Sequence, residues 1–146
     1  MSVFFSRQCE YALRAVMYIA LRPFGEMTSI KELSSTLGIP HHFIGKILQD
    51  LTHKGLLTSQ KGPAGGFALA IPAKDITFFH IVEAIDGVAF SNDCVLGFPE
   101  CSSKTPCAVH NQWAGLRDGI YSMLVHKSIA EMAKEMKKPE YRAAFG

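Results

Sequence analysis

The spacing of apolar residues predicts three helices in the first third of the chain. Residues 7–22 carry apolar side chains at helical intervals, and residues 28–37 repeat this pattern over a shorter stretch. A third helix is predicted over 40–54, where apolar residues recur at positions i, i+3, i+4 and i+7. Its apolar stripe consists of Ile44, Ile47, Leu48 and Leu51.

A very short turn joins the second and third helices, which is the layout of a helix-turn-helix. Thr28 or Ser29 offers the second helix an N-cap, and Gly38 ends it. Beyond Gly55, two short strand patterns, LLTSQ and FALA, flank the turn KGPAGG. A helix-turn-helix followed by a β-hairpin is a winged helix, so the predicted fold is mainly α with a small β-hairpin.

The second half of the chain predicts a short helix over 78–86, an aperiodic stretch over 88–106 and a long helix from about 108 to 138. The long helix is too apolar for one surrounded by solvent. It therefore folds back onto its own domain or pairs with a second chain. Pairing is favoured, because two-fold dimers are the commonest oligomers. Its apolar stripe runs through Trp113, Leu116, Ile120 and Leu124 and continues, with a shift, to Met136.

These patterns divide the chain into three parts. They are a winged-helix DNA-binding domain over 1–87, a cysteine-bearing loop over 88–107, and a dimerisation helix with its tail over 108–146. A length of 146 residues favours one domain with an appendage, and a hydrophobic content of 48% indicates an ordered chain. Residues 1–72 carry seven Lys or Arg against four Asp or Glu, which is consistent with a polyanionic partner.

No apolar run approaches the roughly 20 residues that cross a membrane, and the N-terminus MSVFFSRQ has no secretory leader pattern. We therefore expect a cytoplasmic protein without a membrane partner. Disulfides are rare in that compartment, and clustered cysteines there more often bind metal or take part in catalysis.

Three of the four cysteines, Cys94, Cys101 and Cys107, lie in one short stretch that ends at His110. Its sequence is C-VLGFPE-C-SSKTP-C-AV-H. Thiolates are soft ligands that suit zinc, copper(I) and iron–sulfur clusters. Structural zinc sites usually contain a closer cysteine pair, and catalytic cysteines need an oriented base in a cleft. The spacing fits an iron–sulfur cluster best. The alternative interpretations of these cysteines are a zinc site, a reactive catalytic thiol and thiols without a function. Cys9 is predicted to be a packed apolar residue.

The polar side of the third helix carries candidate DNA contacts, because a recognition helix presents such side chains to base edges and phosphates. They are His41, His42, Gly45, Lys46 and Gln49. The hairpin turn adds a lysine and backbone N–H groups with little side-chain bulk, which a DNA-binding wing requires. Its candidates are Lys61, Gly62, Gly65 and Gly66. The alternative for the helix is a solvated polar face.

Taken in order, these segments resemble the Rrf2 family of bacterial winged-helix regulators, the group that contains IscR, NsrR and RirA. The segments are YALRAVMYIA, IPHHFIGKILQDLTHKGLL, SQKGPAGGFALA, FFHIVEAIDG and the string C-x6-C-x5-C-xx-H. The resemblance implies a homodimer with crossing C-terminal helices that binds palindromic operator DNA. It also implies a 2Fe–2S or 4Fe–4S cluster held by Cys94, Cys101 and Cys107.

The fourth cluster ligand has two candidates. His110 matches the histidine of the IscR-like motif, and Glu10 matches a carboxylate that NsrR-like members supply from the partner subunit. We favour His110, because it lies close to the cysteines in sequence. The chain departs from the family at Lys61, where an arginine usually stands, and at the first cysteine spacing of six residues.

The sequence thus predicts a transcription regulator that senses iron, nitric oxide or redox state through an iron–sulfur cluster, and it does not predict an enzyme. The alternative is a cluster-free, metal- or thiol-responsive winged-helix regulator or adaptor.

Overall fold

The structure is a computed structural model that describes residues 4–88 and 93–140. The helices and strands within those residues follow the predicted order. They are α1 (Arg7–Ala20), α2 (Ile30–Leu37), α3 (His41–His53), β1 (Leu57–Gln60), β2 (Gly66–Leu69), α4 (Phe78–Ile85), α5 (His110–His126) and α6 (Ile129–Met136), with a short 3₁₀ turn at Ala73–Asp75. The predicted fold class, mainly α with a small hairpin, is confirmed.

Local capping sets the boundaries of the first two helices. The Ser6 hydroxyl accepts the backbone N–H of Cys9 at 3.1 Å at the start of α1. Of the two N-cap candidates for α2, Ser29 is the cap, since its hydroxyl accepts the Glu32 N–H at 3.1 Å. Gly38 ends α2 in the left-handed conformation, with a φ of 66°. That conformation suits glycine because it has no Cβ to clash with the backbone.

One hydrophobic core joins the helix-turn-helix to the C-terminal helices. α1 lies at its centre and contacts α2, α3, α4, α6 and β2. The apolar stripe of α3 is buried as predicted, and Cys9 is fully buried in α1. Burial of one large apolar side chain contributes about 1.5–3 kcal/mol, so this face fixes how α3 sits on the domain. The largest fully buried side chains include Leu33, Ile39, Ile44, Leu48, Ile76, Ile81, Leu124 and Ile129.

The two strands form an antiparallel hairpin in which Leu57 pairs with Leu69 and Gln60 with Gly66. A second pairing ties this hairpin to the start of α2. Thr28 and Phe67 exchange two backbone hydrogen bonds, each of 2.9 Å. The wing is therefore held against the helix-turn-helix by backbone contacts as well as by its buried apolar residues.

The C-terminal helix is shorter than predicted. A single helix over 108–138 was expected, but α5 ends at His126 and α6 begins at Ile129. The break arises because Lys127 and Ser128 pair with the segment before α4. The Phe78 N–H donates to the Lys127 carbonyl at 2.8 Å, and the Ile129 N–H donates to the Ile76 carbonyl at 2.7 Å. Ser128 then caps α6 by accepting the Glu131 N–H at 3.0 Å.

Leu124, which ends the first part of the predicted stripe, and the second part of that stripe therefore belong to the core of this same chain. Ile129 and Ala133 on α6 are buried, and α6 packs on α1. α5 remains the candidate dimerisation helix. Among the residues that the structure describes, no helix has the length and apolar character needed to cross a bilayer.

Candidate cysteine cavity and nucleic-acid interface

The three cysteines of the loop and His110 line one cavity of about 140 Å³ beside the start of α5. Residues that the sequence pattern did not single out complete its wall. They are Phe98, Glu100, Ser102, Thr105 and Pro106. Folding thus brings together four side chains that are up to 16 positions apart in the sequence. We refer to this space as the cysteine cavity.

Cys94 is the most enclosed of the three loop cysteines. It begins a tight turn in which the Gly97 N–H donates to the Cys94 carbonyl at 3.0 Å, and Gly97 has a φ of 85°. The pKa of the Cys94 thiol is lowered, mainly by a hydrogen bond from the Leu96 backbone and further by contacts from Phe98, the Cys107 side chain and Gly97; burial opposes the shift. These contacts favour the thiolate, which is the form that binds metal and reacts.

His110 is the first residue of α5, and its side chain faces Cys101. The His110 Nδ1 lies 3.4 Å from the Cys101 sulfur. The backbone N–H of His110 donates to the Cys107 carbonyl at 3.2 Å. Cys107 is the cysteine nearest to His110 in the sequence. The structure instead brings the ring to Cys101 and the backbone to Cys107.

The donors that line the cysteine cavity are thiols and an imidazole, which are ligand types that iron–sulfur clusters use. Among the described residues, no three His, Cys, Asp or Glu side chains converge closely enough to hold one metal ion. A tetrahedral zinc site needs its ligand atoms about 2.0–2.3 Å from one point. An iron–sulfur cluster distributes its protein ligands over several irons. Three soft sulfurs and one imidazole around a shared cavity are compatible in chemistry with such a cluster.

The alternative ligand Glu10 and the fourth cysteine, Cys9, lie on α1, outside the cysteine cavity. Glu10 is half-buried there, so a role at the cavity would require the partner subunit. Cys9 has a pKa raised to about 12, first by burial and then by the negative charges of Asp86 and Glu10. A thiol that is this hard to deprotonate is unreactive, which agrees with its predicted role as a packed apolar residue.

The candidate DNA contacts lie on exposed surface around α3 and the wing. A cleft of about 290 Å³ brings Gln49 of α3 beside Lys61 and glycines of the wing. Ser29 at the start of α2 also lines it. His42 and Lys46 line a second hollow of about 200 Å³. His41 is exposed at the first turn of α3. The wing glycines in the larger cleft are Gly62, Gly65 and Gly66.

Sequence reasoning missed several residues of this surface, among them Ser29, Ser59 and Gln60 in the larger cleft and Gln8 in the smaller hollow. Gln8, on the first turn of α1, lines the smaller hollow together with His42, Phe43 and Lys46. It is polar and exposed, but nothing in its local pattern links it to α3. Its place on this surface follows from the packing of α1 against α3.

Comparison with known proteins then identifies the family. The family model Rrf2, described as an iron-dependent transcriptional regulator, matches residues 5–135. The chain belongs to the Rrf2 family. It is 32% identical over 130 residues to a protein of Aquifex aeolicus described as an HTH-type transcriptional regulator, covering 88% of this chain and 90% of that one. It is 28% identical over 125 residues to IscR of Vibrio atlanticus, covering 86% and 72%.

Solved structures give the same fold. CymR, the global cysteine regulator of B. subtilis, aligns with a TM-score of 0.78 at 23% identity, covering 92% of this chain and 98% of that one. IscR of T. potens aligns with a TM-score of 0.71 at 23% identity, covering 92% and 89%. This Rrf2 protein is a transcriptional regulator and not an enzyme, and the family implies DNA binding.

Proposed function

We propose that this Rrf2 protein is a dimeric regulator of operator DNA that responds to iron, nitric oxide or redox state through an iron–sulfur cluster. The observation that carries the proposal is the cysteine cavity, where Cys94, Cys101, Cys107 and His110 share one wall. The similarity to IscR of Vibrio atlanticus supports it.

In this proposal Cys94, Cys101 and Cys107 supply the three thiolate ligands. His110 is the fourth ligand, and its contact with Cys101 at 3.4 Å supports that choice over Glu10. When bound, the cluster supplies reactivity towards oxygen and nitric oxide. The protein contributes the hydrogen bonds from the backbone after Cys94, which stabilise sulfur in its charged form.

The direct experiment is purification without oxygen, followed by a visible absorbance spectrum and measurement of iron and acid-labile sulfide. Both elements are expected to accompany a brown protein. Stoichiometric zinc without sulfide would contradict the cluster.

The route from the cavity to the DNA-binding surface follows contacts within the chain. α5 begins at His110 beside the cysteines and packs against α4, and the segment that follows α5 is hydrogen-bonded to Ile76 and Phe78 at the start of α4. α4 in turn packs against α1 and α3. A change in the order of the cysteine loop can therefore bias the position of α3, which is the two-state coupling that a ligand-controlled regulator needs.

The surface of α5 supports assembly with a second copy. Leu116 is 65% exposed and Met123 is 50% exposed, one turn apart from Ile120 on either side. Ile120 itself packs against the core of its own chain. Large apolar side chains left in solvent on one helix face mark an interaction surface, and two-fold pairing is the simplest way to cover Leu116 and Met123.

A double substitution tests this interface without disturbing the core. Leu116→Lys combined with Met123→Lys is expected to convert a dimer into a monomer, because each substitution would bury a charge in the proposed apolar interface. Sedimentation equilibrium gives the mass. Ser122→Lys adds a charge at an exposed position of the same helix and is the control, which should stay dimeric. A native chain of monomeric mass would refute the proposed dimer.

The proposed DNA contact at the wing predicts a distinct salt signature. Lys61→Ala should weaken binding to all duplex sequences and reduce the slope of log affinity against log salt by about one, because one phosphate contact is lost. Gln49→Ala should instead reduce discrimination at particular bases. Fluorescence anisotropy at several salt concentrations measures both. Lys134→Ala, which removes an exposed lysine of α6, is the control and should bind DNA as the native protein does. If Lys61→Ala keeps the native affinity and salt slope, the wing does not contact DNA.

A second candidate is a thiol-responsive regulator without a cluster. The observation in its favour is the lowered pKa of Cys94 beside the Cys107 thiol. The fold shared with CymR, the global cysteine regulator, is consistent with it. The two candidates separate on chemistry, since the thiol-responsive protein would bind operator DNA and lose binding on thiol oxidation while holding neither iron nor sulfide.

A further inference from the structure

Trp113, which is not a proposed ligand, links α5 to the cysteine loop through a side-chain hydrogen bond to the loop backbone. It is the one tryptophan of the chain, and it lies on α5 three residues after His110. Its indole Nε1 donates a hydrogen bond of 2.9 Å to the backbone carbonyl of Asp93. Asp93 directly precedes Cys94, so this bond fixes the backbone at the first loop cysteine.

The first turn of α5 thereby contacts the loop at Cys101, at Cys107 and at the residue directly before Cys94. Trp113 fixes the backbone before Cys94, and the His110 ring lies 3.4 Å from the Cys101 sulfur. The His110 N–H donates to the Cys107 carbonyl at 3.2 Å. The Trp113 backbone is itself part of the helix, with its N–H donating to the Val109 carbonyl at 2.9 Å. One helical turn thus acts as a common anchor for three loop positions.

We propose that Trp113 is a positioning residue that holds Cys94 in the cysteine cavity. An indole N–H can only donate, so its partner must be an acceptor such as this carbonyl. Without the bond, the segment over 93–98 would lose the hydrogen bond that joins its first residue to α5. The backbone N–H groups that contact the Cys94 sulfur belong to that segment. The consequence for a cluster rests on the proposed function, whereas the consequence for the loop does not.

The decisive variant is Trp113→Phe, which keeps an aromatic ring but lacks the N–H. In iron-free protein, hydrogen exchange of the amides over 94–98, above all the Gly97 N–H, is expected to become about 3-fold faster or more, as the loss of one hydrogen bond implies. Exchange in α1–α3 should not change. Tyr121→Phe is the matched control, because this ring on the same helix packs on Phe79 at 5.5 Å between centroids, away from the loop.

A second readout uses protein reconstituted with iron and sulfide. Trp113→Phe should release iron to a chelator roughly 3- to 10-fold faster than the native protein and Tyr121→Phe, the range that loss of a supporting contact to a ligand produces. If the native protein holds no cluster, the proposed function fails, and the exchange experiment alone decides the role of Trp113.

A second variant, closer in shape to tryptophan, keeps the test valid if Trp113→Phe does not fold. Incorporation of β-(3-benzothienyl)alanine at position 113 keeps the bicyclic ring and replaces the N–H by sulfur. Faster exchange at 94–98 in this protein supports the proposal. Exchange and iron release equal to those of the native protein would overturn it.

Discussion

Cys101→Ala is expected to abolish iron and sulfide binding while leaving the fold intact. The Cys101 thiol is half-buried in the cysteine cavity and lies next to His110, so its loss removes one of three sulfur ligands and the partner of the imidazole. Two thiolates and a histidine do not complete the ligand set that a cluster requires. The anaerobic protein should be colourless, and its operator affinity should no longer respond to nitric oxide or oxygen.

Cys9→Ala is the matched control, because it is the same substitution at a cysteine buried in α1, outside the cavity. This variant should keep its colour and its iron and sulfide content, with a modest loss of stability from the smaller side chain. Circular dichroism and thermal unfolding check that both variants fold. A brown Cys101→Ala protein with native iron and sulfide content would show that Cys101 is not a ligand.

The helix-turn-helix could be predicted from sequence because its determinants are local. The apolar stripe of α3, the Ser29 cap and the stop at Gly38 each act within a few residues, and all three have their predicted places. The break between α5 and α6 was missed because it depends on a distant segment. Lys127 and Ser128 pair with residues 76–78, some 50 positions earlier, although the capping pattern of Ser128 and Glu131 gave a local sign.

The contrast between local and long-range determinants also applies to the cysteine cavity. Residue types identified Cys94, Cys101, Cys107 and His110, and the structure brings all four to one cavity. Sequence spacing could not give the orientation of the imidazole towards Cys101 or the bond from Trp113 to Asp93. Both depend on how the loop folds back onto α5.

The position of the wing depends on a close backbone approach at Gly66. A Cβ built there would lie 2.3 Å from the Thr28 carbonyl oxygen, and the φ of Gly66 is 145°. Thr28 cannot move aside easily, because its backbone pairs with Phe67 through two hydrogen bonds. Any side chain at position 66 therefore either separates the wing from the start of α2 or strains both segments.

Gly66→Ala is accordingly expected to cost roughly 3 kcal/mol or more of folding stability, combining an unfavourable φ with a backbone clash. It should also weaken operator binding, because the wing would leave its place beside Gln49. Gly62→Ala is the control on the same hairpin. Its φ of 102° carries a similar strain, but no atom lies within 4 Å of its Cβ position, so a cost of only about 1–2 kcal/mol is expected. Urea unfolding of both variants measures the difference. Equal stabilities would mean that the contact between the wing and Thr28 does not fix the wing in solution.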